Sequence, residues 1–258
     1  MKLSEKVAIV TGGGSGIGRS ICLLFASEGA KVVVADFDET CANQTRMEII
    51  NHGAEAVAFL VDVQDESQVQ KLVEKTLDTY GRLDILVNSA GILGPMSIRV
   101  ENLTIEDWVR TIGINLIGSA LMSKHAISAM LRSGGGSIIN LASTAGLNPI
   151  DGAGPYCVSK AGVLMLTRVT ALEYGENGIR VNAICPDKID TPMMRAVVNH
   201  LEDIGVSNAR ANIASGTVLN RFGRPEEVAT LALFLASEQD SSFVTGASIL
   251  VDGGSTCK

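Results

Sequence analysis

The chain reads as an α/β protein, a single domain on a doubly wound parallel sheet of about seven strands with helices on both faces. Three observations predict this. Short β-branched runs recur along the chain, and most are continuously apolar instead of alternating, as parallel strands covered on both faces require. Between them lie longer segments whose apolar residues repeat at helical spacing. With 258 residues, 46% of them hydrophobic and 19% charged, the chain can bury a large core and is not disordered.

The strand runs fall at residues 7–10, 31–35, 56–61, 85–87, 137–141, 179–184 and 248–251. Ile17, Ile21, Leu24 and Phe25 form one helical stripe, and Val69, Leu72, Val73, Thr76, Leu77 and Tyr80 form another. No internal repeat, low-complexity segment or Pro/Gly/Ser-rich linker divides the chain, so residues 1–258 are read as one domain. The stretch 186–224 breaks the rhythm. It opens where the sixth strand should end, and in open α/β sheets ligands sit beyond the carboxyl ends of the strands. It is therefore expected to be a lid over a substrate. The alternative is a surface helical hairpin with no role in binding.

Composition excludes several partners. Aromatic residues make up 4% of the chain, too few for the stacking platforms of single-strand binders. A net charge of −7 opposes phosphate-driven duplex binding and an anionic membrane surface. Five scattered cysteines without a Cys-x-x-Cys pair suggest reduced thiols, and three distant histidines form no ligand pattern, so no metal chemistry is expected. The start Met-Lys-Leu-Ser-Glu-Lys does not look like a signal peptide, and no apolar run reaches the roughly 18 residues of a membrane span. The expected location is the cytoplasm.

A glycine-rich loop follows the first strand: Thr11-Gly12-Gly13-Gly14-Ser15-Gly16-Ile17-Gly18. Gly12, Gly16 and Gly18 let the backbone turn tightly and approach a pyrophosphate, which the next helix N-terminus would favour. The spacing G-x-x-x-G-x-G differs from the G-x-G-x-x-G dinucleotide fingerprint. Residues 13–20 also come one residue short of a triphosphate loop, with Arg19 where its lysine would stand, and arginine is a poor substitute there. Asp36 closes the second strand, about where a carboxylate would accept hydrogen bonds from an adenosine ribose and repel a 2′-phosphate. No basic residue stands beside it, which favours NAD over NADP. Taken alone, the loop could be a plain tight turn and Asp36 a solvated strand end.

Further motifs lie along the chain in order: Asp62-Val63, Asn88-Ser89-Ala90-Gly91, Asn115, Ser143, Tyr156 with Lys160, and Val251-Asp252-Gly253-Gly254. With the glycine loop, they make the chain resemble the short-chain dehydrogenase/reductase family along essentially its whole length. The resemblance implies a Rossmann-type fold, an NAD cofactor and a small-molecule substrate. It implies that Gly12, Ser15, Gly16, Ile17, Gly18, Asp36, Asp62, Val63, Asn88, Ala90, Gly91, Tyr156, Lys160, Pro186, Ile189 and Thr191 bind the cofactor. Asn115, Ser143, Tyr156 and Lys160 match the catalytic tetrad. Ser143, Ala145, Leu93, Asp187 and Met193 are the candidates for contacting substrate. Two departures stand out. Ser89 replaces the family's second Asn, and Asp187 follows Pro186 where the family has Gly. A side chain at 187 could crowd the nicotinamide or require strained backbone. Its charge could stabilise cationic NAD⁺, select a polar substrate or impair activity.

The chemistry expected of these residues is interconversion of a small secondary alcohol, polyol or cyclic alcohol with its ketone. Tyrosine ionises near pH 10, so it needs help to act as a base near neutrality. Tyr156 and Lys160 stand at i, i+4 on one helix face, and the ammonium should favour the phenolate. Ser143 could stabilise the substrate oxygen, and Asn115 could hold a water that feeds Lys160 with protons. Each has an ordinary alternative: a surface pair, a helix cap, a satisfied core amide. The rival functions are a non-catalytic NAD(H)-sensing protein, a 3-oxoacyl-carrier reductase, and an isomerase or epimerase that retains its NAD. Family members are commonly homotetramers, and the segment 226–237 is apolar enough to meet another subunit or to be buried within one chain.

Overall fold

The computed structural model describes residues 1–257. Its strands are β1 Val7–Thr11, β2 Lys31–Asp36, β3 Ala56–Leu60, β4 Ile85–Asn88, β5 Gly136–Leu141, β6 Ile179–Pro186 and β7 Ser248–Val251. They form one seven-stranded sheet in the order β3-β2-β1-β4-β5-β6-β7, all parallel. The helices are α1 Gly16–Ser27, α2 Glu39–Asn51, α3 Glu66–Tyr80, α4 Ile105–Ile112, α5 Gly118–Ser133, α6 Gly154–Tyr174, α7 Pro192–Asp203, α8 Ala209–Ser215, α9 Pro225–Ala236 and α10 Glu238–Ser241. The strand runs read from the sequence are recovered to within one or two residues at their ends.

Alternation along each strand explains the two layers. In β1, Ala8 and Val10 pack with Ile21 and Phe25 of α1, Ile49 of α2 and Val228 of α9. Ile9, between them, points the other way and packs with Val69 and Leu72 of α3 and Met122 and Met130 of α5. Val32 and Val34 repeat the first pattern and Val33 and Ala35 the second. Each fully buried side chain of this size contributes about 1.5–3 kcal/mol over its exposed state.

Helix ends are set locally. The Asp65 carboxylate accepts from the N–H groups of Ser67 and Gln68 and starts α3. Thr104 and Asp107 form a capping box that starts α4. A π-helical turn, Gly113–Ile117, separates α4 from α5, an irregularity common near functional sites. The chain winds outward from β1 to β3, then returns to place β4 on the other side of β1. Thr11 and Asn88 therefore stand side by side at the carboxyl edge, where the loops diverge and open a crevice.

Candidate active site

One cleft of about 610 Å³ runs along that edge, from Asp36 and Phe37 at one end to Ser143, Tyr156, Asp187 and Met193 at the other. Of the residues expected to hold cofactor, Gly12, Ser15, Gly16, Ile17, Gly18, Asp36, Asp62, Val63, Ala90, Gly91, Tyr156, Lys160, Pro186, Ile189 and Thr191 line it. The glycine loop is shaped by sterics. Gly12 has φ +65°, and a Cβ there would meet the Ala90 backbone at 3.0 Å. A Cβ on Gly18 would come within 2.1 Å of the Gly12 carbonyl oxygen, so only glycine lets α1 start this close to the loop. Ser15 caps α1 without a side-chain hydrogen bond, which leaves first-turn N–H groups for an anionic ligand.

The two loops are tied by Thr11. Its hydroxyl accepts from the N–H groups of Ser89 (3.0 Å) and Ala90 (3.1 Å). The Asp36 carboxylate accepts from Gly14 N–H at 2.9 Å through Oδ2 and from Asp38 N–H at 2.9 Å through Oδ1. It therefore holds the loop in shape and still faces the cleft with remaining lone pairs. Arg19, on α1, is ion-paired with Glu48.

Asn88 does not line the cleft. It is buried, and its amide donates to Asn140 Oδ1 (2.8 Å) and Ser123 Oγ (3.2 Å) inside the core. It fixes the height of the loop that follows instead of facing a ligand. Asn115 is likewise turned inward. Its Oδ1 accepts from Ile92 N–H at 2.8 Å, and its Nδ2 donates to Ile92 O and Ser159 Oγ, both at 2.9 Å. Its side chain thus holds Ile92 beside α6, and the second lone pair of Oδ1 stays open for the water expected from the sequence.

Ser143, Tyr156 and Lys160 converge. Ser143 Oγ accepts from Ala145 N–H at 3.1 Å, so it is a cap, as the ordinary reading held, yet its own proton is free to be donated. The nearby Ser143 hydroxyl pulls the Tyr156 phenol pKa down, but burial dominates and holds it above the ordinary tyrosine value. Cys157 and Asp187 add to the rise. The expected lowering joins the Lys160 ammonium to a cationic nicotinamide, whereas in the protein alone burial acts on both side chains. The Lys160 ammonium sits 5.8 Å from the ring centroid, donates to Leu141 O at 2.7 Å and is itself pushed down to about 8 by burial.

At the far end, Leu93, Ile150, Met193, Met194 and Val197 give the cleft an apolar wall. Ala145 lies behind Tyr156 and Leu93 and does not line it. The stretch 186–224 contributes α7 to this wall. It is closed at its base by the Ile189–Gly223 bridge and braced by Asp190, which pairs with Arg195 (3.0 Å) and Arg210 (2.8 Å). Asp187 itself needs no left-handed backbone. The positive φ has moved one residue on, to Lys188 at +50°, whose ammonium pairs with Asp187 Oδ2 at 2.7 Å. Sequence reasoning missed Phe37, Ile150, Lys188 and Val197. Phe37 is 75% exposed beside Asp36, and an exposed aromatic there was the available signal. Ile150 and Val197 carried none.

The sequence and fold are similar to those of known proteins. A family model described as enoyl-(acyl carrier protein) reductase matches residues 12–256. The chain is 39% identical to a cyclohexanol dehydrogenase of an Acinetobacter species, over 100% of this chain and 97% of that one. It is 38% identical to the 3-oxoacyl-[acyl-carrier-protein] reductase FabG of Thermotoga maritima, covering 98% and 99%. The crystal structure of levodione reductase superposes with a TM-score of 0.95 at 33% identity, covering 99% of this chain and 100% of that one. The chain belongs to the short-chain dehydrogenase/reductase family, and it is an oxidoreductase of alcohols and ketones that uses a nicotinamide cofactor.

Proposed function

We propose that the protein interconverts a small secondary alcohol, cyclic alcohol or polyol with its ketone, using NAD(H) and Tyr156 as acid/base. The observation that carries this is the single cleft, which joins Asp36 at one end to Ser143, Tyr156 and Lys160 at the other. The residues present suit a dinucleotide: a loop in which Gly18 has no room for a side chain, open N–H groups at α1, and a carboxylate where a ribose would lie. NAD is favoured over NADP because Asp36 would repel a 2′-phosphate and Arg19 is already engaged by Glu48. Gly12, Gly16, Ile17 and Gly18 would hold the pyrophosphate, Asp36 the adenosine ribose, Asp62 and Val63 the adenine, and Ile189 and Thr191 the carboxamide.

Bound NAD⁺ supplies the hydride acceptor and a positive charge that favours the phenolate. Tyr156 takes the hydroxyl proton of the alcohol. Ser143 donates to the same oxygen and disperses the charge that develops on it. Lys160 keeps an ammonium 5.8 Å from the Tyr156 ring, which stabilises the anion electrostatically. Asn115 positions Ile92 and Ser159 and so shapes the cleft from behind. The stretch 186–224 acts as the lid, since α7 forms one wall.

A homotetramer is part of the same reading, on a different surface from the one the sequence pointed to. Val228, Ala232 and Leu235 of α9 are buried within the chain. Val158, Met165, Val169 and Leu172 instead form an exposed apolar stripe on α6, with Leu172 at 85% exposure. No helix among the described residues is long and apolar enough to cross a membrane. The cytoplasm remains the proposed location, on the strength of five unpaired cysteines.

The test is NADH formation from NAD⁺ and a panel of secondary alcohols, with Tyr156→Phe alongside. Turnover in the wild type that is lost in the variant, with cofactor binding kept, supports the reading. A wild type that binds NADH tightly and oxidises nothing across the panel would be a sensor.

A further inference from the structure

The substrate end of the cleft has an apolar wall and, besides the Lys160 ammonium, a charged pair next to it, Asp187 with Lys188. The pair is held in place with some force. Lys188 adopts φ +50°, a conformation that L side chains rarely take without compensation. Its carbonyl accepts from Gly223 N–H at 3.0 Å, and Asp187 N–H donates to Val251 O at 3.1 Å, so the strained residue and the one before it are both pinned. Strain of this kind persists where surrounding structure over-determines it, and it clusters at ligand sites.

The two partners are not equivalent. The Lys188 side chain packs against the turn at Gly216, where a Cβ would meet its Cε at 3.1 Å and its Nζ at 3.2 Å. Its ammonium is bonded to Asp187 and packs beside that turn. Asp187 is only 20% exposed at its side chain. Its Oδ2 takes the Lys188 bond, and among the described residues Oδ1 takes none. A carboxylate oxygen with open lone pairs, held beside the reacting end of an apolar cleft, is an acceptor waiting for a donor.

We propose that Asp187 is a specificity-determining residue that accepts a hydrogen bond from a second hydroxyl of the substrate, so that the preferred substrates are diols and hydroxyketones. The inference rests on the alcohol–ketone reading above and narrows it. A substrate carboxylate is disfavoured, because Lys188 is already neutralised and Asp187 would face the incoming anion. A simple alcohol leaves the Asp187 oxygen without a donor once water is displaced, which penalises it. The reaction balance is unchanged. The carbinol loses a hydride to NAD⁺ and its proton to Tyr156, giving a hydroxyketone, NADH and H⁺, while the second hydroxyl keeps its own proton.

The experiment compares kcat/KM for cyclohexane-1,2-diol, cyclohexanol and 4-hydroxycyclohexanecarboxylate in the wild type, Asp187→Gly and Asp187→Asn. A hydrogen bond to a charged group is worth roughly tenfold to a hundredfold. The wild type should favour the better diol isomer over cyclohexanol by at least about tenfold, and Asp187→Gly should bring that ratio close to one. Asp187→Asn, which keeps the shape and an acceptor, should fall between and serves if the glycine variant does not fold. The hydroxy acid should be the poorest wild-type substrate and should gain most in Asp187→Gly. A diol-to-cyclohexanol ratio that is near one in the wild type, or unchanged in both variants, overturns the assignment. If no alcohol is oxidised, the functional reading has failed on its own account. Calorimetric binding of diol and cyclohexanol to the protein–NADH complex then decides Asp187 independently. Tighter diol binding lost in the variants upholds its role, and equal binding sinks it.

Discussion

The two ends of the cleft are built from different materials. The end around Gly12, Gly16 and Asp36 is made mostly of backbone: a loop closed so tightly that Gly18 has no room for a methyl group, and a strand-end carboxylate that accepts from Gly14 N–H of that loop and from Asp38 N–H. The end around Leu93, Ile150, Asp187 and Met193 is made of side chains from four separate loops or helices. Backbone geometry demands particular residues at particular spacings. A side-chain wall can be papered with many alternatives of similar volume. One end is therefore constrained by a ligand common to many enzymes, and the other is free to follow the substrate.

The largest expected effect lies where the two ends meet. Tyr156→Phe should lower kcat about 10²–10⁴-fold while the dissociation constant for NADH changes little. Fluorescence titration with NADH checks the second half. Gly18→Ala is the complementary break. Its added methyl would lie 2.1 Å from the Gly12 carbonyl oxygen, so the loop must shift. Cofactor affinity should fall by about tenfold or more, with roughly 1–3 kcal/mol of lost stability. A Gly18→Ala protein that binds NADH normally would mean that the backbone end is more pliable than its contacts indicate.

Asp36→Ala should have a smaller effect of a different kind. NAD affinity should weaken by about tenfold, since a charge-assisted hydrogen bond to ribose is lost. Discrimination against NADP should shrink as well, because the repelling carboxylate is gone. Parallel titrations with NADH and NADPH read both. Equal weakening of the two would mean that Asp36 acts only through Gly14 and Asp38, as a loop brace.

The same division explains what could be read from the chain before its structure. The seven strands were legible because buried parallel strands are continuous apolar runs, as at Val32, Val33 and Val34. Tyr156 and Lys160 were legible because four residues on a helix is a geometric statement. Asn88 and Asn115 were found as residues, but their side-chain partners were not legible. A motif marks that an amide matters, not which way it turns, and here both amides turn into the core. Lys188 and Ile150 were not legible at all. They reach the cleft through loop paths that no periodicity encodes, and the ion pair of Asp187 with its own neighbour depends on a left-handed residue that is not glycine.

The lid offers a more modest test of the substrate end. Arg210 pairs with Asp190 at 2.8 Å and lies 4.6 Å over the Phe222 ring, so α8 is latched to the base of the lid twice. The ion pair is largely solvent-exposed, and such contacts are worth little singly. Arg210→Ala should therefore raise the KM for the alcohol a few-fold and leave NADH binding unaltered. An equal rise for cofactor would show that the lid covers both ends alike.

The smallest effect is on stability, and its sign follows from burial. Lys160 is pushed down to about 8 from its ordinary value of 10.5 by loss of solvation. Below pH 8 it is charged in both folded and unfolded chains, and the folded state carries the full cost of burying that charge. Between about 8 and 10.5 the unfolded chain holds the proton more often than the folded one. Stability from this group must then rise with pH, by at most about 1.4 kcal/mol per unit. The buried thiols of Cys22 and Cys185, both raised, act in the opposite sense because the folded chain keeps protons that the unfolded chain loses. A difference measurement removes Cys22 and the burial share of Cys185, which leaves only the part that the Lys160 charge itself exerts on Cys185. Lys160→Met keeps both thiols and deletes only the ammonium, so urea midpoints of wild type and variant should converge, or cross in favour of the wild type, as pH rises from 8 to 10. A gap that stays constant over that range would mean that the Leu141 carbonyl, 2.7 Å from the ammonium, solvates Lys160 as well as water does.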